Sequence, residues 1–342
     1  MIGAALDALQ RVAWPTGPGA FRLWLALLVF VHHMSSFGVG PFAVYVFFAL
    51  SGYWLQLMWT GRYRKAQHAY LTYLASRFWR LAPMMVLANV LTVPFLMWIG
   101  VGEGRVLAEP LHLAISSVVM LGYAWLDYLP VGAAWSLDVE AQFYVLLPLL
   151  AALVLRGPGI AWLALAASIS LAAALWLDTP PTLAQHLFFF AAGMLAARHR
   201  WEPGVRAAYA SAALVVGVLI FLTVSPWAGI VWGGADKGPL FVWNPVLNVA
   251  LAVAALPFAL WTVRRRSDGI DRAFGDLSYI VYMLHWAAMQ WFFTLEGSVM
   301  HRLPYAAAAF LVIGALSLAV WYAFDRPINA ARTRWVAART AG

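Results

Sequence analysis

The sequence predicts an all-α, polytopic membrane protein with about ten transmembrane helices and both termini in the cytoplasm. Hydrophobic residues make up 64% of the 342 positions and charged residues only 11%, against about 25% charged residues in a typical soluble domain. Apolar runs long enough to cross a bilayer recur along the chain, and no polar stretch between them is long enough to fold as a separate soluble domain.

Hydropathy predicts ten spans, at 21–36, 41–60, 83–99, 137–155, 160–177, 182–197, 207–224, 241–263, 276–293 and 305–324. These spans define a membrane domain over 21–330. Residues 1–20 are too broken by proline and glycine to form a signal peptide or a span, and are predicted to be a cytoplasmic or interfacial lead-in. Residues 331–342 are predicted to be a basic cytoplasmic tail.

The distribution of Lys and Arg sets the predicted orientation. With the N-terminus inside, nineteen of the 22 basic residues lie in cytoplasmic segments or inner helix ends, and only Arg105, Lys237 and Arg302 lie outside. A full span at 111–126 would invert everything after it, so this stretch is predicted to be interfacial or re-entrant within an external loop from about 100 to 136. The same asymmetry explains the net charge of +8 without nucleic acid.

The first span carries two adjacent histidines in an otherwise apolar run. At the helical rise of 1.5 Å per residue, His33 lies roughly 16 Å above Arg22, near mid-membrane, and eleven helical steps return it to nearly the same face. Ionisable residues at that depth are costly and usually line a site or path, so His33 is a candidate functional residue. His32 points about 100° away and is expected to be a packing histidine.

Two further polar positions are predicted at similar depth. Ser51, in "FFALSGYWL", lies mid-way along span two, and His285, in "GDLSYIVYMLHW", lies mid-way along span nine. If these helices are neighbours, both side chains and His33 face one cavity. The alternatives are close helix packing at Ser51–Gly52 and a packing role for His285.

Two arginines precede the third predicted span. Arg77 and Arg80, in "SRFWRLAP", lie at i, i+3 on one helix face, just before Pro83 begins the span. Paired guanidinium groups at a membrane edge can bind phosphates through charge-assisted hydrogen bonds. The alternative is ordinary cytoplasmic anchoring.

A polar stripe opens the fourth span. Ser136, Glu140 and Tyr144, in "WSLDVEAQFY", repeat at i, i+4, i+8, and a glutamate that enters a span is expensive unless it is paired or faces water. Glu140 is therefore a candidate functional residue. Asp138 points almost opposite, and a helix-capping charge is the alternative for it.

These segments, in this order, resemble the acyltransferase-3 family of integral membrane acyltransferases, which includes bacterial O-acetyltransferases of surface polysaccharides and related glycans. The resemblance runs from about 20 to 330. It is carried by six segments: Arg22-x10-His33, "FFALSGYWL", Arg77-x-x-Arg80, "WSLDVEAQFYVLLP", "FGDLSYIVYMLHW" and "FDRP". Departures at Tyr45, Asp138, Ala141 and Asp325 affect the expected acceptor preference more than the chemistry.

The resemblance implies a ten-helix enzyme of the bacterial inner membrane that moves an acyl group, most simply acetyl, from cytoplasmic acyl-CoA to a hydroxyl of an extracytoplasmic or lipid-linked saccharide, as in exopolysaccharide O-acetylation. Arg22, Arg77 and Arg80, with Ser51, would bind acyl-CoA. His33 and Glu140 would be catalytic. Trp135, Ser136, Asp138, Tyr144 and His285 would contact the acceptor. No extracytoplasmic SGNH-type domain is expected after the last span.

The chemistry requires no metal, because a thioester is already activated, and the adjacent histidines diverge too far to chelate one. The absence of cysteine excludes disulfides and thiol catalysis. A neutral imidazole can act as a general base or accept the acyl group itself.

Two other functions remain open: a proton-coupled transporter or flippase, in which His33, His285 and Glu140 form a relay, and a structural subunit of an export complex. The oligomeric state is left open.

Overall fold

A computed structural model describes residue 10 and residues 15–233, 237–296 and 299–340, without the side chains of 299–301. Twelve α-helices are assigned in order: α1 Pro18–Met34, α2 Gly40–Gly61, α3 Ala69–Trp98, α4 Pro110–Val119, α5 Trp135–Arg156, α6 Gly159–Trp176, α7 Leu183–Arg198, α8 Val205–Val224, α9 Asn244–Thr262, α10 Gly269–Thr294, α11 Val299–Val320 and α12 Arg326–Thr340. The fold is all-α, as predicted.

Every predicted span coincides with a helix of the described chain. Within the part of the chain that the structure describes, seven segments are long and apolar enough to cross a membrane: Gly40–Lys65, Ala69–Trp98, Gly132–Arg156, Gly159–Trp176, Val205–Val224, Pro239–Thr262 and Arg302–Thr340. Helices α1 and α7, with 17 and 16 residues, are shorter. The chain is a multi-pass membrane protein, and the count of about ten spans and the cytoplasmic termini stay predictions.

The structure adds detail to three predicted segments. Helix α3 begins at Ala69, before the predicted span, so Pro83 lies inside the helix together with Arg77 and Arg80. Proline is tolerated in membrane helices because neighbouring groups satisfy the freed backbone carbonyl. The predicted tail 331–342 is helical up to Thr340, within α12. The stretch 111–126 contains the ten-residue α4, which at about 15 Å is half the thickness of the hydrocarbon core.

The chain divides into two compact units, and α2 and α10 each contribute residues to both. Unit 1 comprises Met1–Leu50 and Arg200–Tyr282. In it, Phe21 of α1 packs edge-on against Phe258 of α9, with ring centroids 5.2 Å apart. The connection between α1 and α2 is fixed to α9 because Asn244 and Asn248 both donate hydrogen bonds of 2.9 Å to the carbonyl of Gly38.

Unit 2 comprises Ser51–His199 and Met283–Gly342. In it, α5 packs on α3 and α7, and α6 packs on α7. Phe143 of α5 stacks on Phe190 of α7 with ring centroids 4.2 Å apart. Between α11 and α12 the chain forms a π-helical turn, Trp321–Asp325, a local widening that is frequent at functional sites.

Candidate functional site

A polar pair joins α2 and α5 in unit 2. The hydroxyl of Ser51 donates a hydrogen bond of 2.6 Å to Oε1 of Glu140. Glu140 is half-buried and lies in a segment apolar enough to cross the membrane. A carboxylate in such surroundings must be hydrogen-bonded or solvated to be tolerated. The structure therefore brings together two of the predicted site residues.

The neighbouring glycine allows this pairing. A Cβ at Gly52 would lie 2.2 Å from the carbonyl oxygen of Phe190 in α7, so α2 and α7 approach at backbone distance there. Gly52 thus packs against α7 while Ser51, one residue earlier, faces Glu140. Gly52 therefore provides the close helix packing, and Ser51 provides the polar contact.

Glu140 continues into a cluster of tyrosines around Arg77. Tyr144, one helical turn after Glu140 on α5, lies close enough to interact with its carboxylate electrostatically, as the i, i+4 stripe predicts. Nη2 of Arg77 donates to the hydroxyl of Tyr63 at 3.1 Å, and the guanidinium also lies 5.7 Å from the centre of that ring. Nε of Arg77 is buried without a hydrogen-bond acceptor among the described residues. Arg77 therefore keeps an unused donor inside the unit.

Arg80 has a different environment. Its Nη1 pairs with the carboxylate of Asp325 at 3.1 and 3.3 Å, and the two side chains are 16% and 4% exposed. Asp325 closes the π-helical turn. The charge of Arg80 is thus offset inside the protein, whereas Arg77 contacts neutral hydroxyls. The two arginines of Arg-x-x-Arg are not equivalent in this structure.

The C-terminal helix adds a second guanidinium to the Arg77 cluster. Nη1 of Arg332 donates to Oγ of Ser76 at 3.2 Å, and that hydroxyl is also 2.8 Å from the hydroxyl of Tyr63. Helix α12 is held there by Trp335, whose ring lies 5.7 Å from that of Trp79. Sequence analysis missed this contact because it treated the segment as a basic tail.

Asp138 makes contacts within the protein. It is 1% exposed, and its Oδ2 accepts from the backbone N–H of Ala124 at 2.9 Å while Oδ1 accepts from Nε2 of Gln142 at 3.0 Å. Gln142 in turn accepts from the N–H of Leu183. These contacts connect the segment before α5 to α7. Asp138 lies in the first turn of α5, where the capping alternative places a charge, and its contact with an acceptor stays a prediction.

The other predicted acceptor residues, Trp135, Ser136 and His285, also lie in unit 2. The ring of Trp135 lies 5.5 Å from His186 at the start of α7. Ser136 donates to the carbonyl of Ala133. His285 is fully buried, and the ring of Trp286 next to it packs on Gly132 so closely that a Cβ there would lie 2.1 Å away.

The segment between α3 and α5 is cross-linked by polar contacts. Glu109 accepts from the N–H of Asp127 at 2.8 Å and contacts Nδ1 of His112 at 3.3 Å. These hydrogen bonds, the first above all, lower the pKa of the Glu109 carboxyl. Nε2 of His112 lies 2.9 Å from the carbonyl of Gly122, so α4 is tied to the chain that follows it.

Arg22 and His33 belong to unit 1, and both lie in α1. Both are half-buried. The rings of His32 and His33 are 4.7 Å apart, and Nδ1 of His32 lies 2.9 Å from the carbonyl of Phe37, which agrees with the packing role expected for His32. A cavity shared by His33 with Ser51 and His285, which lie in unit 2, stays a prediction.

Sequence analysis did not identify Tyr63, Tyr73, Ser76 or Arg332 as members of the Arg77 cluster. Tyr63 and Tyr73 are almost fully buried, and their rings pack edge-on at 5.5 Å. A signal existed in the sequence, since "YRK" and "YLTYLASR" place these tyrosines close to Arg77. Aromatic residues are so common in this chain that the signal was not distinctive. Among the described residues, no group of three His, Asp or Glu side chains is arranged to hold a metal ion.

Comparison with known proteins identifies the family. The family model Acyl_transf_3, described as an acyltransferase domain, matches residues 13–325. No curated protein matches the chain, and no solved structure does. The matched range includes Arg22, His33, Ser51, Arg77, Arg80 and Glu140, and it ends at Asp325, just before α12. The chain belongs to the acyltransferase-3 family and is a membrane acyltransferase.

Proposed function

We propose that this enzyme transfers an acyl group, most simply acetyl, from cytoplasmic acyl-CoA to a hydroxyl of an extracytoplasmic or lipid-linked saccharide at the bacterial inner membrane. Membership of the family supports acyl transfer. The observation that carries the proposal is the Ser51–Glu140 pair inside an apolar segment. A half-buried carboxylate in an apolar segment is energetically costly, and ionisable residues in such segments are usually functional.

His33 is proposed as the group that handles the proton. A neutral imidazole removes the proton from the acceptor hydroxyl while the hydroxyl oxygen bonds to the acyl carbon. The C–S bond of the thioester then breaks, and the thiolate leaves as CoA thiol after taking up a proton. In the two-step route the imidazole nitrogen itself accepts the acyl group, and the acceptor hydroxyl removes it later.

Glu140 is proposed to orient the acceptor hydroxyl. Its Oε1 is fixed by Ser51, so the carboxylate has a defined direction. Tyr144 is the next polar side chain along α5 on the same face. Trp135, Ser136 and His285 are proposed to contact the sugar, with the tryptophan ring offering a flat face for it. A fixed carboxylate is suited to accept a hydrogen bond from a sugar hydroxyl.

Arg22, Arg77 and Arg80 are proposed to contact the donor phosphates from the cytoplasmic side. Their contacts indicate that Arg77 and Arg80 contribute unequally to phosphate binding. Arg77 retains a buried Nε donor without an acceptor, whereas Arg80 is paired with Asp325. A guanidinium with free donors binds phosphate through forked hydrogen bonds, so Arg77 is the stronger candidate ligand and Arg80 the residue that fixes α3 to the π-helical turn.

The experiment uses the full chain in nanodiscs with acetyl-CoA labelled in its acetyl group. Wild type should release or transfer label, and His33→Ala should not. His32→Asn is the matched control, because an amide can replace the contact of His32 with the Phe37 carbonyl. Label retained covalently on wild type would favour the two-step route. A folded wild type that neither binds nor consumes acetyl-CoA or longer acyl-CoAs would contradict the proposal and favour a transporter.

A further inference from the structure

A cavity of about 440 Å³ lies in unit 1 where α1 begins and α9 ends. It is lined by Thr16, Gly17, Ala20, Arg264, Arg265, Arg266 and Asp271. None of these residues was assigned to a site by sequence analysis, which placed the three arginines among the cytoplasmic anchoring charges. The volume falls in the range of small-molecule sites, about 300–1,000 Å³.

Beside the cavity, α1 and α10 are in close contact. A Cβ at Gly19 would lie 1.6 Å from the backbone oxygen of Asp271, so only glycine permits this approach. The Asp271 carboxylate accepts from the N–H groups of Gly19 and Ala20 at 3.0–3.1 Å and from Ser267 at 2.6 Å. Its charge is therefore used to cap α1.

The arginine wall keeps a surplus of positive charge. Arg264 pairs with Glu202. The guanidinium of Arg265 lies 4.9 Å from the centre of the Trp261 ring, which holds it without neutralising it. Arg266 has no ion pair with any described residue. Because Arg264 is paired with Glu202, two arginine charges remain against one carboxylate, that of Asp271, which is already hydrogen-bonded to α1, and the cavity is suited to an anion.

Two simpler explanations account for the arginines but not for the cavity. Basic residues after a helix are favoured by its dipole, and cytoplasmic loops are rich in arginine. Neither effect requires a concave site of ligand size beside the close contact between Gly19 and Asp271. The position of the cavity on α1 also fits the reaction, since Ala20 and His33 are thirteen residues apart on that helix, or about 20 Å. An extended phosphopantetheine arm can span this distance.

We propose that the cavity binds a phosphate ester, namely the 3′-phosphoadenosine end of acyl-CoA, so that the thioester reaches towards His33 along α1. This inference rests on the proposed function and adds Arg265 and Arg266 as donor-binding residues. The headgroup of an anionic lipid shares the same chemistry and is the alternative source of the phosphate.

The experiment compares wild type with the double variant Arg265→Gln/Arg266→Gln in nanodiscs of phosphatidylcholine, which carries no net charge. The control is Arg206→Gln/Arg334→Gln, which removes the same charge from two exposed arginines outside the cavity. Binding of CoA, dephospho-CoA and adenosine 3′,5′-bisphosphate is measured by calorimetry. In parallel, native mass spectrometry records phosphatidylglycerol retained by protein prepared from membranes that contain it.

The cavity variant should bind CoA at least about tenfold more weakly than wild type and lose most of its preference for CoA over dephospho-CoA, because charge-assisted hydrogen bonds to the 3′-phosphate are removed. The control should match wild type. Unchanged CoA binding with loss of retained phosphatidylglycerol would assign the cavity to a lipid headgroup instead. If neither changes, the proposal is wrong. A wild type that retains phosphatidylglycerol but binds no CoA would contradict the proposed function and leave a lipid site.

Discussion

Ser51 and Glu140 are 89 positions apart in the chain and are joined by a hydrogen bond of 2.6 Å. Ser51 follows two phenylalanines in α2, and Glu140 lies one turn into α5. The hydroxyl proton stabilises the carboxylate in apolar surroundings and fixes its direction, which is what an orienting group requires. The activity of the enzyme should therefore depend on both residues, but unequally.

Glu140→Gln should lower kcat for acyl transfer by about 100-fold or more, in the range observed when an acid–base or orienting group is removed. Ser51→Ala should lower it by only about tenfold, the effect of one lost hydrogen bond to a charged group. Transfer from labelled acetyl-CoA measures both. Ser317→Ala is the control, because Ser317 is buried without a hydrogen-bond partner among the described residues. Equal losses in all three variants would contradict an orienting role.

Arg80 and Asp325 should matter more for stability than for donor affinity. Asp325→Asn leaves Arg80 partly buried without its counter-charge, a change that costs about 3 kcal/mol in comparable pairs. The thermal unfolding midpoint in detergent should fall, and Asp325→Glu should restore part of it. If Asp325→Asn keeps the midpoint but weakens acyl-CoA binding, Arg80 is a ligand residue and its structural role is secondary.

Arg77 should show the opposite behaviour. Arg77→Gln should raise KM for acetyl-CoA by about tenfold, because its forked donors are lost. Arg77→Lys should restore little, since an ammonium group cannot replace a forked guanidinium. Tyr63→Phe removes one hydrogen bond to Arg77 and one to Ser76 and serves as the control, with an effect of a few-fold at most. Steady-state kinetics at saturating acceptor separates KM from kcat.

Helix α12 should stabilise unit 2 although the family match ends before it. Trp335 packs against Trp79, and the Arg339 guanidinium lies 4.1 Å from the centre of the Trp335 ring. Trp335→Ala should lower the unfolding midpoint and expose α12 to protease, because truncating a core tryptophan costs about 3–5 kcal/mol and the half-buried Trp335 should lose part of that. Arg334→Ala, on an exposed position of the same helix, should have little effect.

The Glu109 contacts predict a pH-dependent segment between α3 and α5. Because the pKa of Glu109 is lowered in the folded protein, its contribution to stability is complete above its ordinary pKa and disappears as the pH falls through the lowered value. Hydrogen exchange at the Asp127 amide should therefore accelerate, relative to its intrinsic rate, in mildly denaturing acid. Glu109→Gln should weaken that protection already at neutral pH, whereas Glu103→Gln should not. Identical protection in all three proteins would show that the contact does not hold the segment.

The length of the apolar runs was sufficient to predict the all-α fold and a helix at each predicted span. Hydropathy did not predict helices that pack against the protein despite a polar composition. Helix α12 has the lowest hydrophobicity of the named helices, so its packing through Trp335 and Val336 was invisible to hydropathy. The predicted third span begins at Pro83, whereas the helix that contains it begins at Ala69 and continues through that proline.

The candidate site was predictable in part for the same reason. A serine and a glutamate in apolar runs are conspicuous, and both were identified. Their pairing was not, because it depends on how α2 and α5 each pack on Phe190 of α7, through Gly52 and Phe143. Arg77 and Arg80 are three residues apart but have different partners. Arg77 bonds the hydroxyl of Tyr63 and Arg80 pairs with the carboxylate of Asp325, and neither partner could be assigned from the sequence.

The last turn of α12 has a practical consequence for mapping the enzyme in its membrane. The carbonyl of Arg339 accepts from the N–H of Gln67, and Nε of Arg62 donates to Thr340. The end of α12 and the connection from α2 to α3 therefore share one side of the bilayer. A single reporter fused after Gly342 will establish the compartment of both segments, and a long linker is advisable so that the fusion does not displace this contact.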